Sequence, residues 1–164
     1  MKTLWIIRHA KSSWDNALLS DHARPLNERG KKDALALGKF LSEQNDIPAL
    51  WLVSDSKRTR KTFKRIQMSF PVALDFQMEG HLYHASSLHL LQRIAALPAD
   101  LNHVAIIGHN PGLTDVCSHL GFPPGHLPTS GFACYKLSDW RKVSSGQATL
   151  TCGWFPKTGK WGQF

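Results

Sequence analysis

Hydrophobic residues along this chain fall into two rhythms. Leu4 to Ile7, Ala49 to Val53 and Val104 to Ile107 are unbroken apolar runs. Runs of this length, without polar alternation, mark strands covered on both faces. Between the runs the spacing changes. Gly30, Ala34, Leu37 and Leu41 form one small-to-apolar stripe, which predicts a helix over residues 26–45 with Asn27 as its N-cap. The pattern then gives strands at 3–8, 49–55, 72–78 and 103–109, and helices at 56–68, 86–97 and 112–120. Two closing strands, 131–138 and 147–155, are placed to pair antiparallel around the Ser-Ser-Gly turn at 144–146. The last stretch, 153–164, reads as irregular chain that packs through its tryptophans.

Four strand–helix alternations predict an α/β fold, a three-layer α/β/α sandwich with a mostly parallel central sheet. The chain has 164 residues, which suits a single domain over 1–164. No linker, repeat or low-complexity tract divides it. No apolar run is long enough to span a bilayer, and the N-terminus lacks the pattern of a signal peptide. Cys117, Cys134 and Cys152 are odd in number and widely spaced, without CxxC. They fit small core residues in a reducing, cytoplasmic setting. The net charge of +8 points to phosphates, nucleic acid or acidic proteins as partners.

Candidate chemistry appears when the strand ends are compared. The first strand ends in Arg8-His9, and the fourth ends in His109. Ligands of open α/β sheets bind at the carboxyl edge of the strands. Two histidines at that edge are poorly explained as solvated strand ends. After His109, "NPGL" opens a helix whose N–H groups suit an anion. Arg58 begins the helix after strand two, and Arg24 lies in the loop between strand one and helix one. Two histidines and three arginines then share one edge. Guanidinium forks match phosphate oxygens, and nearby cations lower a histidine pKa, keeping it neutral and nucleophilic. The other cations of the second helix, Lys57, Arg60, Lys61, Lys64 and Arg65, read as a solvated face.

These segments resemble a known family. "RHAKSSW" is similar to the RHG-type motif of the histidine phosphatase superfamily, with alanine in place of the usual glycine. "RPLNERGKKDA", "SDSKRTRKT" and "GHNPGL" resemble its later motifs, in the family's order, over about residues 3–137. The resemblance is nearest to the short SixA-like phosphohistidine phosphatases. It implies a phosphoglycerate mutase-like (Rossmann-like) fold. It also implies a metal-independent phosphatase without cofactor, acting through a phosphohistidine intermediate, with a phosphorylated signalling domain as its partner. His9 becomes the nucleophile. Arg8, Arg24 and Arg58 bind phosphate together with His109, which also supports the transition state. Larger relatives use a carboxylate near strand three as general acid, for which Glu79 is the nearest candidate. Asp15 and Asp21 in the first loop are further candidates. Ala10 places a methyl group where the family brings its ligand close.

Other readings remain. A small-molecule phosphatase or mutase of the same superfamily usually carries a capping insertion. Here only a few residues separate the second helix from the third strand. A basic nucleic-acid-binding module fits the charge, but aromatics are not interleaved with it. His81, His84 and His89 have close spacing for zinc, yet no cysteine or paired carboxylate completes the set. His22, His103, His119 and His126 read as structural.

Overall fold

The computed structural model describes residues 1–123 and 125–161. Its seven-stranded sheet has the order β3-β2-β4-β1-β5-β6-β7. The strands are β1 (Lys2–Arg8), β2 (Leu50–Ser54), β3 (Phe76–Glu79), β4 (His103–Gly108), β5 (Phe132–Leu137), β6 (Thr149–Phe155) and β7 (Gly159–Trp161). The first four run parallel, and β5, β6 and β7 add on antiparallel.

The unbroken runs are buried on both faces, and the two faces feed different cores. Leu4, Ile6, Leu52 and Ile106 pack toward α3 (Ser87–Ala95) and α4 (Gly112–His119). Trp5, Ile7, Trp51, Val53 and Ile107 pack toward α1 (Glu28–Ser42) and α2 (Lys57–Gln67). This is the predicted three-layer α/β/α sandwich. The helix starts follow from their caps. Asn27 accepts from the Gly30 N–H, Ser56 from Thr59 and Ser86 from His89, each satisfying a donor that the helix leaves free.

Three expectations change. The third strand is Phe76–Glu79 rather than 72–78, and it lies at the sheet edge with Phe76 and Met78 half exposed. An edge strand needs little burial, so its apolar pattern misplaced it. The turn at 144–146 is the end of a short 3₁₀ helix, Trp140–Ser145, closed by Gly146 in the left-handed region (φ 69°). The closing stretch is ordered as β7 up to Trp161, whose ring packs against Phe122 and Phe155. Residues 162–164 lie outside the described part.

Adjacent β1 and β4 send their chains to helices on opposite faces. Their carboxyl ends therefore flank a topological switch point, where open α/β sheets form their binding crevice.

Candidate active site

Register brings the two strand ends together. Arg8 pairs with Gly108, so His9 and His109 emerge side by side, with ring centroids 5.2 Å apart. The backbone of His9 is pinned from both sides. Its N–H donates to the Gly108 carbonyl (3.1 Å), and its carbonyl accepts from the Ser130 N–H (3.1 Å).

The His9 ring has a defined orientation. Nδ1 lies 2.7 Å from the Ala10 carbonyl, which can only accept, so Nδ1 carries the proton. Nε2 carries the lone pair, which accepts from Arg58 Nε at 3.3 Å. Burial, more than the neighbouring Arg58, Arg8 and Arg24, pushes the His9 pKa down to about 3. Burial, followed by His9 and Arg58, lowers His109 to about 2. His109 Nε2 lies 2.7 Å from the Ser54 hydroxyl at the end of β2, and its Nδ1 lies 3.4 Å from an Arg58 amine. Both rings are thus neutral at pH 7, each with a lone pair facing Arg58.

Arg8, Arg24 and Arg58 line one cavity of about 200 Å³ with His9 and His109. Arg24 is held by Ser12, Ser13 and Asp21, and its guanidinium carbon sits 3.2 Å from the Trp14 ring centroid. Arg8 donates to the Leu127 carbonyl, and its buried Nε has no partner among the described residues.

Asp21, a further carboxylate candidate from the sequence, ties Arg24 to Arg58. Its carboxylate accepts from Arg24 (3.0 Å), Arg58 (3.0 Å) and the Tyr83 hydroxyl, and its backbone carbonyl accepts from Arg58 (2.7 Å). Burial alone would raise its pKa. The hydrogen bonds from Tyr83, Arg58 and Arg24 outweigh burial and hold it well below the usual carboxylate range. Tyr83 and His84 follow β3, each ring set edge-on to His109. The "LYH" triplet in a short connection was the available signal.

Glu79 does not join this group. Its carboxylate takes three hydrogen bonds from Arg93, the shortest 2.6 Å, and pairs with His81 at 2.9 Å. It is absent from the side chains lining the His9 cavity. Asp15 also lies outside that lining. The Ala10 methyl packs against Leu26 and Ala34 and is not among the residues lining the His9 cavity, and the Ala10 N–H donates to Thr62 Oγ1 at 2.9 Å. The N–H groups expected to face an anion at α4 are partly consumed. Leu113 donates to the His109 carbonyl and Thr114 to the Asn110 side chain.

The zinc arrangement does not form. His81 stacks edge-on with His89, while His84 turns to Asp21 at 3.3 Å. Among the described residues, no group of three or more metal-ligating side chains is placed to hold an ion. Of the histidines read as structural, His22 pairs with Asp55 (2.9 Å) at the site's margin, and His103 pairs with Asp46 far along the sheet. No described helix is long and apolar enough to cross a membrane.

Residues 4–80 match the histidine phosphatase superfamily (branch 1). A chloroplast protein of Arabidopsis thaliana is 32% identical over 132 residues, covering 73% of this chain and 59% of that protein. The chain thus spans little more than half of this relative. The solved structure of an Agrobacterium tumefaciens protein named for the phosphohistidine phosphatase SixA superposes with a TM-score of 0.80. It is 26% identical, over 93% of this chain and 97% of its own. The protein histidine phosphatase SixA complexed with tungstate shares the fold at a TM-score of 0.75 and 23% identity, over 94% of this chain and 97% of its own.

Proposed function

The chain belongs to the histidine phosphatase superfamily, and we propose that it is a phosphatase that works through a phosphorylated His9 and removes phosphate from phosphohistidine in a signalling protein. One observation carries this reading. His9 Nε2 is a neutral, buried lone pair that accepts from Arg58, in a cavity lined also by Arg8 and Arg24. Phosphoryl transfer needs mainly positioning and neutralisation of charge, and this arrangement supports both.

In the proposed reaction Nε2 attacks phosphorus, and the bond from phosphorus to the substrate imidazole nitrogen breaks. That nitrogen takes up a proton from solvent as it leaves. Water then attacks phosphorylated His9, the Nε2–P bond breaks, and orthophosphate departs. The arginine forks hold the equatorial oxygens through both steps, and His109, protonated once the anion enters, donates to them.

The choice of leaving group follows from the carboxylates. Asp21 stays ionised under Tyr83, Arg58 and Arg24, and Glu79 is engaged by Arg93. A phosphoramidate departs with less help from an acid than an alkyl phosphate does, so phosphohistidine suits this site better. A protein substrate is supported by an adjoining cleft of about 500 Å³, lined in part by Arg8, Lys11, Arg29 and Lys157. Its positive lining complements an acidic surface. The same volume lies within the range of small-ligand pockets, which favours a small phosphomonoester as the second reading.

The test compares kcat/KM for a phosphohistidine domain, 3-phosphoglycerate and p-nitrophenyl phosphate, in wild type and His9→Ala, with EDTA present. The expected order puts phosphohistidine first, with His9→Ala inactive and EDTA without effect. Trapping of phosphorylated His9 is done at alkaline pH, because acid hydrolyses the P–N bond. A clear preference for 3-phosphoglycerate would select the mutase-like reading, and turnover by His9→Ala would overturn the mechanism.

A further inference from the structure

A second cluster of reactive side chains lies far from His9, where β5 and β6 meet. Cys134 on β5 is directly opposite Cys152 on β6 in the antiparallel register. Opposed residues of an antiparallel pair project from the same face, with Cα atoms about 4.5–5.5 Å apart. That spacing falls within the roughly 4.4–6.8 Å that a disulfide spans. The same-face placement is visible in the packing, since both cysteines join the cluster that contains Trp5 and Phe132. Both also line one cavity of about 220 Å³, which opens beside Trp5, His103 and Lys136. Cys134 is buried and Cys152 only partly buried, so a small oxidant reaches the second through the cavity it lines.

We propose that Cys134 and Cys152 are a peroxide-oxidisable dithiol that closes to a disulfide across β5 and β6. Cys152 is the attacking group. A hydrogen bond from the Cys134 thiol, with Lys160 and Lys136 nearby, favours its thiolate, and thiolate is the reactive form. Its sulfur attacks one oxygen of hydrogen peroxide, the O–O bond breaks, and the leaving hydroxide takes a proton to become water. Cys152 is then a sulfenic acid. The Cys134 sulfur attacks the Cys152 sulfur and the S–O bond breaks. The departing hydroxide takes the Cys134 proton as a second water. Two thiols are oxidised by two electrons, and peroxide is reduced to two waters. Cys117 stands apart in the opposite core, where burial raises its thiol to about 12.

The experiment treats the full chain with hydrogen peroxide and reads intact mass and a non-reducing peptide map. The expected product has lost two hydrogens and links the Cys134 and Cys152 peptides. Its Cys117 stays alkylatable after denaturation, and dithiothreitol reverses the change. In Cys134→Ser the loss of two hydrogens should vanish and Cys152 should carry oxygen instead. A wild-type map with Cys152 overoxidised beside a free Cys134, or with Cys152 cross-linked between two chains, would overturn the proposal. So would three free thiols after treatment. If the serine variant does not fold, the wild-type map decides alone.

Discussion

Asp21 is the residue on which both interior arginines converge, and it joins Arg58 to Arg24 before any phosphate arrives. Its carboxylate occupies donors that a phosphoryl group needs, and its charge opposes an incoming anion. It also holds the two guanidiniums in place. Those two effects predict a split when the charge alone is removed. Asp21→Asn should bind vanadate or orthophosphate about threefold to tenfold more tightly, the scale of one partly screened charge. Its kcat should fall, because Arg58 loses an orienting partner. The inhibition constant and kcat are measured on one preparation. Weaker vanadate binding with unchanged kcat would show that Asp21 neither competes with phosphate nor positions the arginines. The sequence could not rank Asp21 in this way. His9 and His109 were legible because each ends an apolar run whose direction is fixed. Asp21 lies in a loop without period, and only the closure of that loop, sealed by the Ser12–Leu26 bridge, brings it to Arg58. Glu79 shows the opposite case. It ends β3, but Arg93 and His81 claim it, and the sequence does not show which cation reaches a carboxylate first.

At the scale of elements, the site depends on how closely α1 approaches the chain after His9. The Asn27 N–H donates to the Lys11 carbonyl at 3.0 Å, and the first turn of α1 then lies against the same residue. A Cβ placed on Gly30 would stand 2.1 Å from the Lys11 oxygen, well inside contact distance. Gly30→Ala should therefore force α1 and the 10–12 segment apart. The expected loss is about 1–3 kcal/mol, as for an overpacked core, read as a lower denaturant midpoint, together with reduced kcat because Arg24 and Ser12 shift. An unchanged midpoint would mean that the loop yields freely. Gly30 was visible in the sequence as one small position in the helical stripe. The backbone approach that requires it was not, since its partner lies 19 residues earlier. The same limit explains β3 and β7. Central strands announce themselves through burial on both faces, whereas these outer strands are held by pairing with β2 and β6 and carry little pattern of their own.

For the whole molecule, the interior cations and histidines set how stability responds to acid. Folding buries His9 and His109 as neutral rings, with pKa values near 3 and 2 against an ordinary 6.5. Burial also lowers His103 to about 4, opposed by Asp46. Between these values and 6.5 the unfolded chain binds more protons than the folded one, so stability rises with pH. The contribution is complete above about pH 6.5 and is lost progressively as pH falls toward the folded values. Asp21 acts in the same direction at lower pH, because its carboxyl is held ionised. The denaturant midpoint should accordingly drop from pH 7 to pH 4. An anion in the His9 cavity reverses part of this. Sulfate between Arg8, Arg24 and Arg58 would favour protonated His9 and His109, raise their folded pKa values and flatten the fall. His9→Gln removes one of the titrating rings and should also reduce the slope, without needing sulfate. Midpoints are measured against pH for both proteins, with and without sulfate at constant ionic strength. A slope that neither sulfate nor His9→Gln alters would assign the acid sensitivity to His103 or to surface carboxylates, and would deny that the His9 cavity is built to receive a dianion.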